Sequence, residues 1–178
     1  MARKRLSEFT VTLPRGRGDT CVVQQDRSIV LAKERYFPVF WNSHEAGSFV
    51  ECVREHETVE NWTKIVTLQR SWIEPDLHRL LTGMIAEIKK EARDAFYRTF
   101  ETTEYPILVF QALDPKTNLF EFDVFVFAKH ESGNSFIMMQ FAQRFTSADV
   151  QAGDEIRQAA VNEISTVRMS GFDPLFRK

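Results

Sequence analysis

Leu119-Phe120-Glu121-Phe122-Asp123-Val124-Phe125-Val126-Phe127-Ala128 is the stretch whose reading decides the fold. Side chains alternate across a strand, so Phe120, Phe122, Val124 and Val126 share one face, with Glu121, Asp123, Phe125 and Phe127 on the other. Both faces therefore carry large apolar groups, and such a strand needs cover on two sides. Upstream, Ile107 to Leu113 reads as a strand, with Asp114-Pro115-Lys116-Thr117-Asn118 as a turn. Downstream, Glu131-Ser132-Gly133-Asn134 turns the chain and Ser135 to Phe145 pairs back. These three strands form an antiparallel meander.

Before the meander, the sequence predicts a long amphipathic helix. Pro75 suits a first helical position and Asp76 the positive end of the helix dipole. Leu77, Leu80, Leu81, Met84, Ile85, Ile88, Ala92 and Phe96 recur at helical spacing. Trp72 is placed to staple the helix entry. After the meander, Ser147 can cap a second helix whose regular part starts near Asp154. Its apolar stripe is Ile156, Ala159, Ala160, Ile164 and Val167, and Gly171 and Pro174 end it.

The first third reads as strands: Leu6 to Leu13, Thr20 to Gln24, Ser28 to Ala32, Phe49 to Val53 and Trp62 to Arg70, the last rich in β-branched residues. Between Lys33 and Ser48, Pro38, Asn42, Ser43 and Gly47 interrupt an aromatic segment that reads as a loop packed partly onto the core. Segregated strands and helices give an α+β class: a mainly antiparallel sheet of about six to seven strands with one long helix on each face, an α/β/α sandwich. The chain of 178 residues has room for one good core. Residues 1–5 form a basic lead, 6–172 a single domain and 173–178 a C-terminal tail.

The element order, and the entry Glu60-Asn61-Trp62-Thr63 into a strand just before a long helix, resemble small bacterial proteins of the Mog1/PsbP-like class. The likeness covers about Phe9 to Phe172. It implies a binding or assembly factor without a shared catalytic centre, and it transfers no active-site residue. Exported or lipid-anchored members carry a signal segment or lipobox cysteine; here Ser7, Glu8, Thr10 and Thr12 interrupt any apolar run after Arg3-Lys4-Arg5, so the expected location is the cytoplasm.

Composition narrows the chemistry. Hydrophobic residues make up 43% and charged residues 27%, with a net charge of -2, which favours a soluble globular protein and gives no electrostatic reason for a nucleic-acid partner. No stretch approaches the length of a membrane span. No phosphate-binding glycine loop and no Gly-x-Ser-x-Gly elbow occurs, and no cofactor is expected. His44, His56, His78 and His130 include no pair at ligand spacing on one element, so no metal is expected. Cys21 and Cys52 read as two thiols, although sequence leaves their pairing open.

Two readings concern carboxylates. Glu121 and Asp123 share a strand face and superficially suggest an acid–base pair, but the expectation is a solvated strand end that becomes buried from Phe125 onward. Glu163 falls inside the stripe of the second helix and is the candidate buried polar residue, with escape at the helix edge as the alternative. The strongest functional cue is aromatic. Sixteen Phe residues exceed what the strands hide comfortably, and Tyr36, Phe37, Phe40 and Trp41 lie in the least regular segment. They are the candidate partner-binding residues.

The leading expectation is a non-enzymatic binding or adaptor protein that meets another protein through this aromatic segment, as part of a larger assembly. The alternative is a small-molecule binding domain with an apolar pocket between sheet and helix, lined by Phe125, Phe127, Met139 and Phe141. A hydrolase ranks last, since it requires Glu163 or Glu121 beside His or Cys in a cleft.

Overall fold

A computed structural model describes residues 22–31, 33–72, 76–92, 95–101, 106–129, 135–146, 153–164 and 172–176. In chain order the elements are β1 (Val22–Val23), β2 (Ile29–Leu31), β3 (Glu34–His44), β4 (Gly47–Arg54), β5 (Lys64–Ser71), α1 (Leu77–Glu91), β6 (Phe96–Phe100), β7 (Ile107–Asp114), β8 (Leu119–Lys129), β9 (Phe136–Phe145), α2 (Gly153–Ile164) and a 3₁₀ turn, Asp173–Phe176. The nine strands form one sheet in the order β1-β2-β3-β4-β5-β9-β8-β7-β6, with every neighbouring pair antiparallel. Two meanders thus meet at the β5–β9 seam, and α1 carries the chain from the middle of the sheet to its far edge.

The expected α/β/α sandwich does not form. The protein is mostly β: a curled sheet with two short helices of 15 and 12 residues. The two-sided apolar pattern of β8 was read correctly as a demand for cover on both faces, but curling meets half of that demand. Ile29, Val50, Val66, Val109, Val124 and Met139, from six different strands, join one cluster on the inner face. A sheet that closes toward itself supplies its own cover and leaves only the opening to plug. Ala160, Val161 and Ile164 of α2, with Phe172 and Leu175, fill that role. The segment read as a C-terminal tail therefore contributes to the core.

On the outer face, α1 lies over Leu108, Phe125, Phe127 and Phe136. None of its residues is fully buried. Asp76 caps it, accepting from the His78 and Arg79 backbone N–H groups at 3.0 and 3.3 Å, which satisfies two otherwise unpaired donors. The helix stops at Glu91, short of the predicted Phe96; Phe96 instead opens β6, paired with Gln111. Apolar spacing continued past the helix end because β6 also needs apolar residues, and periodicity alone could not separate the two.

The larger correction concerns residues 33–48. The expected loop is the 11-residue strand β3, paired along its length with β4. Pro38 fits there because the strand bulges beside it: Pro38 and Phe40 face consecutive residues of β4, Cys52 and Glu51, leaving Val39 as the extra residue. The proposed strand at 6–13, Cys21, the basic lead, His130, Ser147 and Gly171 lie outside the described residues.

Candidate functional site

The bulge at Val39 determines where the aromatic residues point. Tyr36 is fully buried on the inner face, where its hydroxyl donates to Glu34 Oε2 at 2.8 Å. Phe37 is half-buried beneath the Arg35 guanidinium, 5.3 Å from the ring centroid. The inserted residue then reverses the alternation. Phe40 turns outward toward Phe49, with ring centroids 5.6 Å apart, and Trp41 sits opposite Val50, its Nε1 donating to the Leu175 carbonyl at 3.3 Å. The four candidate residues are therefore not one patch. Val39, Phe40 and Trp41 are the exposed part, at 41, 40 and 39%, and Tyr36 belongs to the core.

The backbone here matters more than the rings. β2 pairs with β3 only at residues 34–36. Beyond Tyr36, among the described residues, no strand lies along the edge of β3 opposite β4, although β3 runs on to His44. An open edge of this length offers unpaired peptide groups, and natural proteins usually blunt such edges with charge. From Phe37 to Ser43 this edge carries no charged side chain.

A second candidate surface lies under α1. The helix and the sheet leave an elongated groove of about 790 Å³, within the roughly 300–1,000 Å³ range of small-molecule sites. Its walls are Leu80, Gly83, Met84 and Ile88 on the helix and Phe110 and Phe125 on the sheet, whose rings stack at 5.8 Å. Charged groups rim it: Asp76 and Arg79 at one end, Glu87 and Glu91 at the other. Gly83 stands in mid-helix, where glycine costs about 1 kcal/mol relative to alanine. A Cβ placed there would meet nothing within 4 Å, so no packing within the described residues requires that glycine. The expected pocket lined by Phe125, Phe127, Met139 and Phe141 cannot exist as drawn. The first two lie on the outer face and the last two on the inner one, because the β8–β9 register sets Gln140 beside Phe125 and Met138 beside Phe127.

Next to the groove floor, Asp123 is the main surprise. It was expected at a solvated strand end, yet it is fully buried. Gln140 Nε2 donates to its Oδ1 at 2.8 Å, while Oδ2 has no hydrogen-bond partner among the described residues. Burial pushes its pKa well above the ordinary aspartate value, and the nearby Glu121 charge adds to this; the Gln140 bond and Arg144 pull the other way. Glu121 stays half-buried, its Oε2 accepting a hydrogen bond from Arg144 Nε at 3.2 Å. The Arg144 guanidinium in turn stacks 3.8 Å from the Trp62 ring centroid. No local pattern marks this burial, since it depends on cover from Phe110 across β7 and from β9.

Glu163 lies within α2, but its side chain falls outside what is described. Among the described side chains of that helix, the buried polar residue is Arg157, 2% exposed. Its Nη1 donates to Gln111 Oε1 at 2.8 Å and its Nη2 to Asp154 Oδ1 at 2.6 Å. Arg157, Ala160, Val161 and Ile164 follow i, i+3, i+4, i+7 spacing, so the inward face was readable in principle. A charged residue at its head disguised it, and the predicted stripe was rotated toward Ile156 and the exposed Ala159.

Cys52 is buried on the inner face. Among the described residues no group of His, Cys, Asp and Glu side chains could hold a metal ion, and no helix is long and apolar enough to cross a membrane.

A protein-family model matches residues 23–173. The chain belongs to that family. The matched span runs from β1 into the final 3₁₀ turn, so it embraces both meanders and both helices. No curated protein and no solved structure matches the chain. The resemblance to the Mog1/PsbP-like class is overturned: the family match gives it no support, and the curled, mostly β sheet is not the sandwich that likeness implied.

Proposed function

We propose that the protein is a non-enzymatic protein-binding module whose docking site is the edge of β3 from Phe37 to His44. The observation that carries this reading is the coincidence of an uncharged strand edge, open among the described residues, with three exposed apolar side chains, Val39, Phe40 and Trp41. An extended segment of a partner would continue the sheet: main-chain hydrogen bonds supply affinity, and contacts with alternate side chains supply selectivity. The rings supply the contact area that dominates such interfaces. The partner belongs to the class of proteins that present an apolar extended strand, and the module acts as an adaptor within an assembly.

Val39 is the residue to change, because it is the bulged position and holds no ring contact or capping bond. Val39→Lys places a charge on the edge in the way natural sheets block strand addition. The test introduces a photo-crosslinking phenylalanine analogue at Phe40, and separately at Thr82 on α1, in the organism that makes the protein. The expected result is a discrete adduct with one polypeptide from position 40, absent from position 82 and abolished by Val39→Lys. Equal adducts from both positions, or none from position 40, overturn the reading.

A further inference from the structure

We infer that the groove beneath α1 is a binding site for a single extended alkyl chain with a cationic head group, a function separate from strand addition at β3. Three observations support it. The groove is long: from Asp76 to Glu91, both of which line it, the helix rises about 22 Å at 1.5 Å per residue, the scale of an extended long alkyl tail. Its walls are apolar, with Leu80, Met84 and Ile88 facing the Phe110–Phe125 stack. Gly83 stands at mid-length with open space where its side chain would be, so the helix gives up intrinsic stability at the one position where a side chain would narrow the groove.

Charge assigns the head group. Three carboxylates, Asp76, Glu87 and Glu91, border the groove against one guanidinium, Arg79. Asp76 is engaged as the helix cap and lies at the same end as Arg79, which leaves the Glu87–Glu91 end as the acidic one. Two lysines share this last turn: Lys89 lies over the Tyr97 ring, 5.0 Å from its centroid, and Lys90 holds Glu87 at 3.2 Å, so Glu91 is the principal contact for an ammonium. The C-terminal end of the helix adds a negative partial charge at the same place. An alkyl ammonium would lie with its tail toward Leu80 and its head beside Glu91; an alkyl carboxylate would meet the wrong charge there.

The test is calorimetric titration of the full-length protein with dodecyltrimethylammonium, dodecanol and dodecanoate, each below its micelle concentration. Saturable binding at one site is expected, tightest for the ammonium and weakest for the carboxylate. Gly83→Leu, which fills the middle of the groove, should weaken the ammonium at least tenfold while thermal stability is kept or raised. Gly83→Ala should act in the same direction by a smaller factor. Glu91→Gln should remove the preference for ammonium over dodecanol without abolishing dodecanol binding. Val39→Lys should bind all three as the native protein does, which keeps failure here distinct from failure at the β3 edge. Absence of saturable binding, equal or stronger binding of dodecanoate, or unchanged affinity in a folded Gly83→Leu protein would each overturn the proposal.

Discussion

Replacing Asp123 by Asn should remove one component of stability that falls as pH rises. The folded protein holds a proton on this buried carboxyl over a pH range in which the unfolded chain, with an ordinary aspartate pKa near 3.8, has already lost it. The folded state therefore binds more protons, and its stability falls as pH rises from about 3.8 toward the raised folded value. The loss is about 1.4 kcal/mol for every pH unit over which only the folded form keeps the proton. Asn is nearly isosteric, and its carbonyl can still accept from Gln140. Its amide group inherits the site of Oδ2, which has no partner among the described residues, at a cost of about 1–3 kcal/mol. Near pH 4 the variant should thus be no more stable than the native protein, and it should overtake as the medium becomes neutral. Urea denaturation of both proteins at half-unit steps from pH 4 to pH 8 measures the difference. Asp26, Glu34, Glu57 and Asp114, whose pKa values are lowered, make stability rise with pH in both proteins and cancel in the subtraction. Two parallel profiles would refute the reasoning, because they would mean that Asp123 ionises alike in both states.

Gly47→Ala should cost about 1–3 kcal/mol, the range for overpacking a filled site, since the new Cβ would overlap the Arg70 carbonyl oxygen and come within 3.2 Å of the Ser71 Cα; a thermal melt at the native midpoint would show the idea wrong. Phe122→Ala removes a fully buried ring from the inner-face cluster and should lose about 3–5 kcal/mol, read from the urea midpoint at constant slope. The edge variant Val39→Lys should be within about 0.5 kcal/mol of native in the same assay, as befits an exposed position, while losing the crosslinked partner. Gly83→Leu should likewise remain folded and lose the alkyl ammonium.

Much of the local structure was legible. Strand β8 was bounded from its alternation at the residues where it runs, and β7 and β9 to within a residue, because period-two patterning and the Asp114 to Asn118 turn act over short distances. The N-terminus of α1 was equally clear, since a cap is a local bond between Asp76 and the next turn. β3 was missed because Pro38 and Asn42 are breakers in isolation; the bulge that accommodates Pro38 exists only when β4 lies alongside. Of the candidate residues, Tyr36 is buried where β3 lies between β2 and β4, whereas the directions of Phe40 and Trp41 follow from that same inserted residue, which no composition argument can see.

By itself the sequence determined that this chain builds an antiparallel meander with large apolar groups on both faces, because side-chain alternation is a property of each strand alone. Only the tertiary structure decided how those faces were covered. Curling lets the inner side chains of distant strands meet one another, leaving α1 and α2 as partial covers instead of full layers. It also decided that Asp123 is buried and that, among the described residues, the edge of β3 is open beyond Tyr36, since both depend on which strands stand next to which, and pairing across long sequence separations leaves no mark in any one segment.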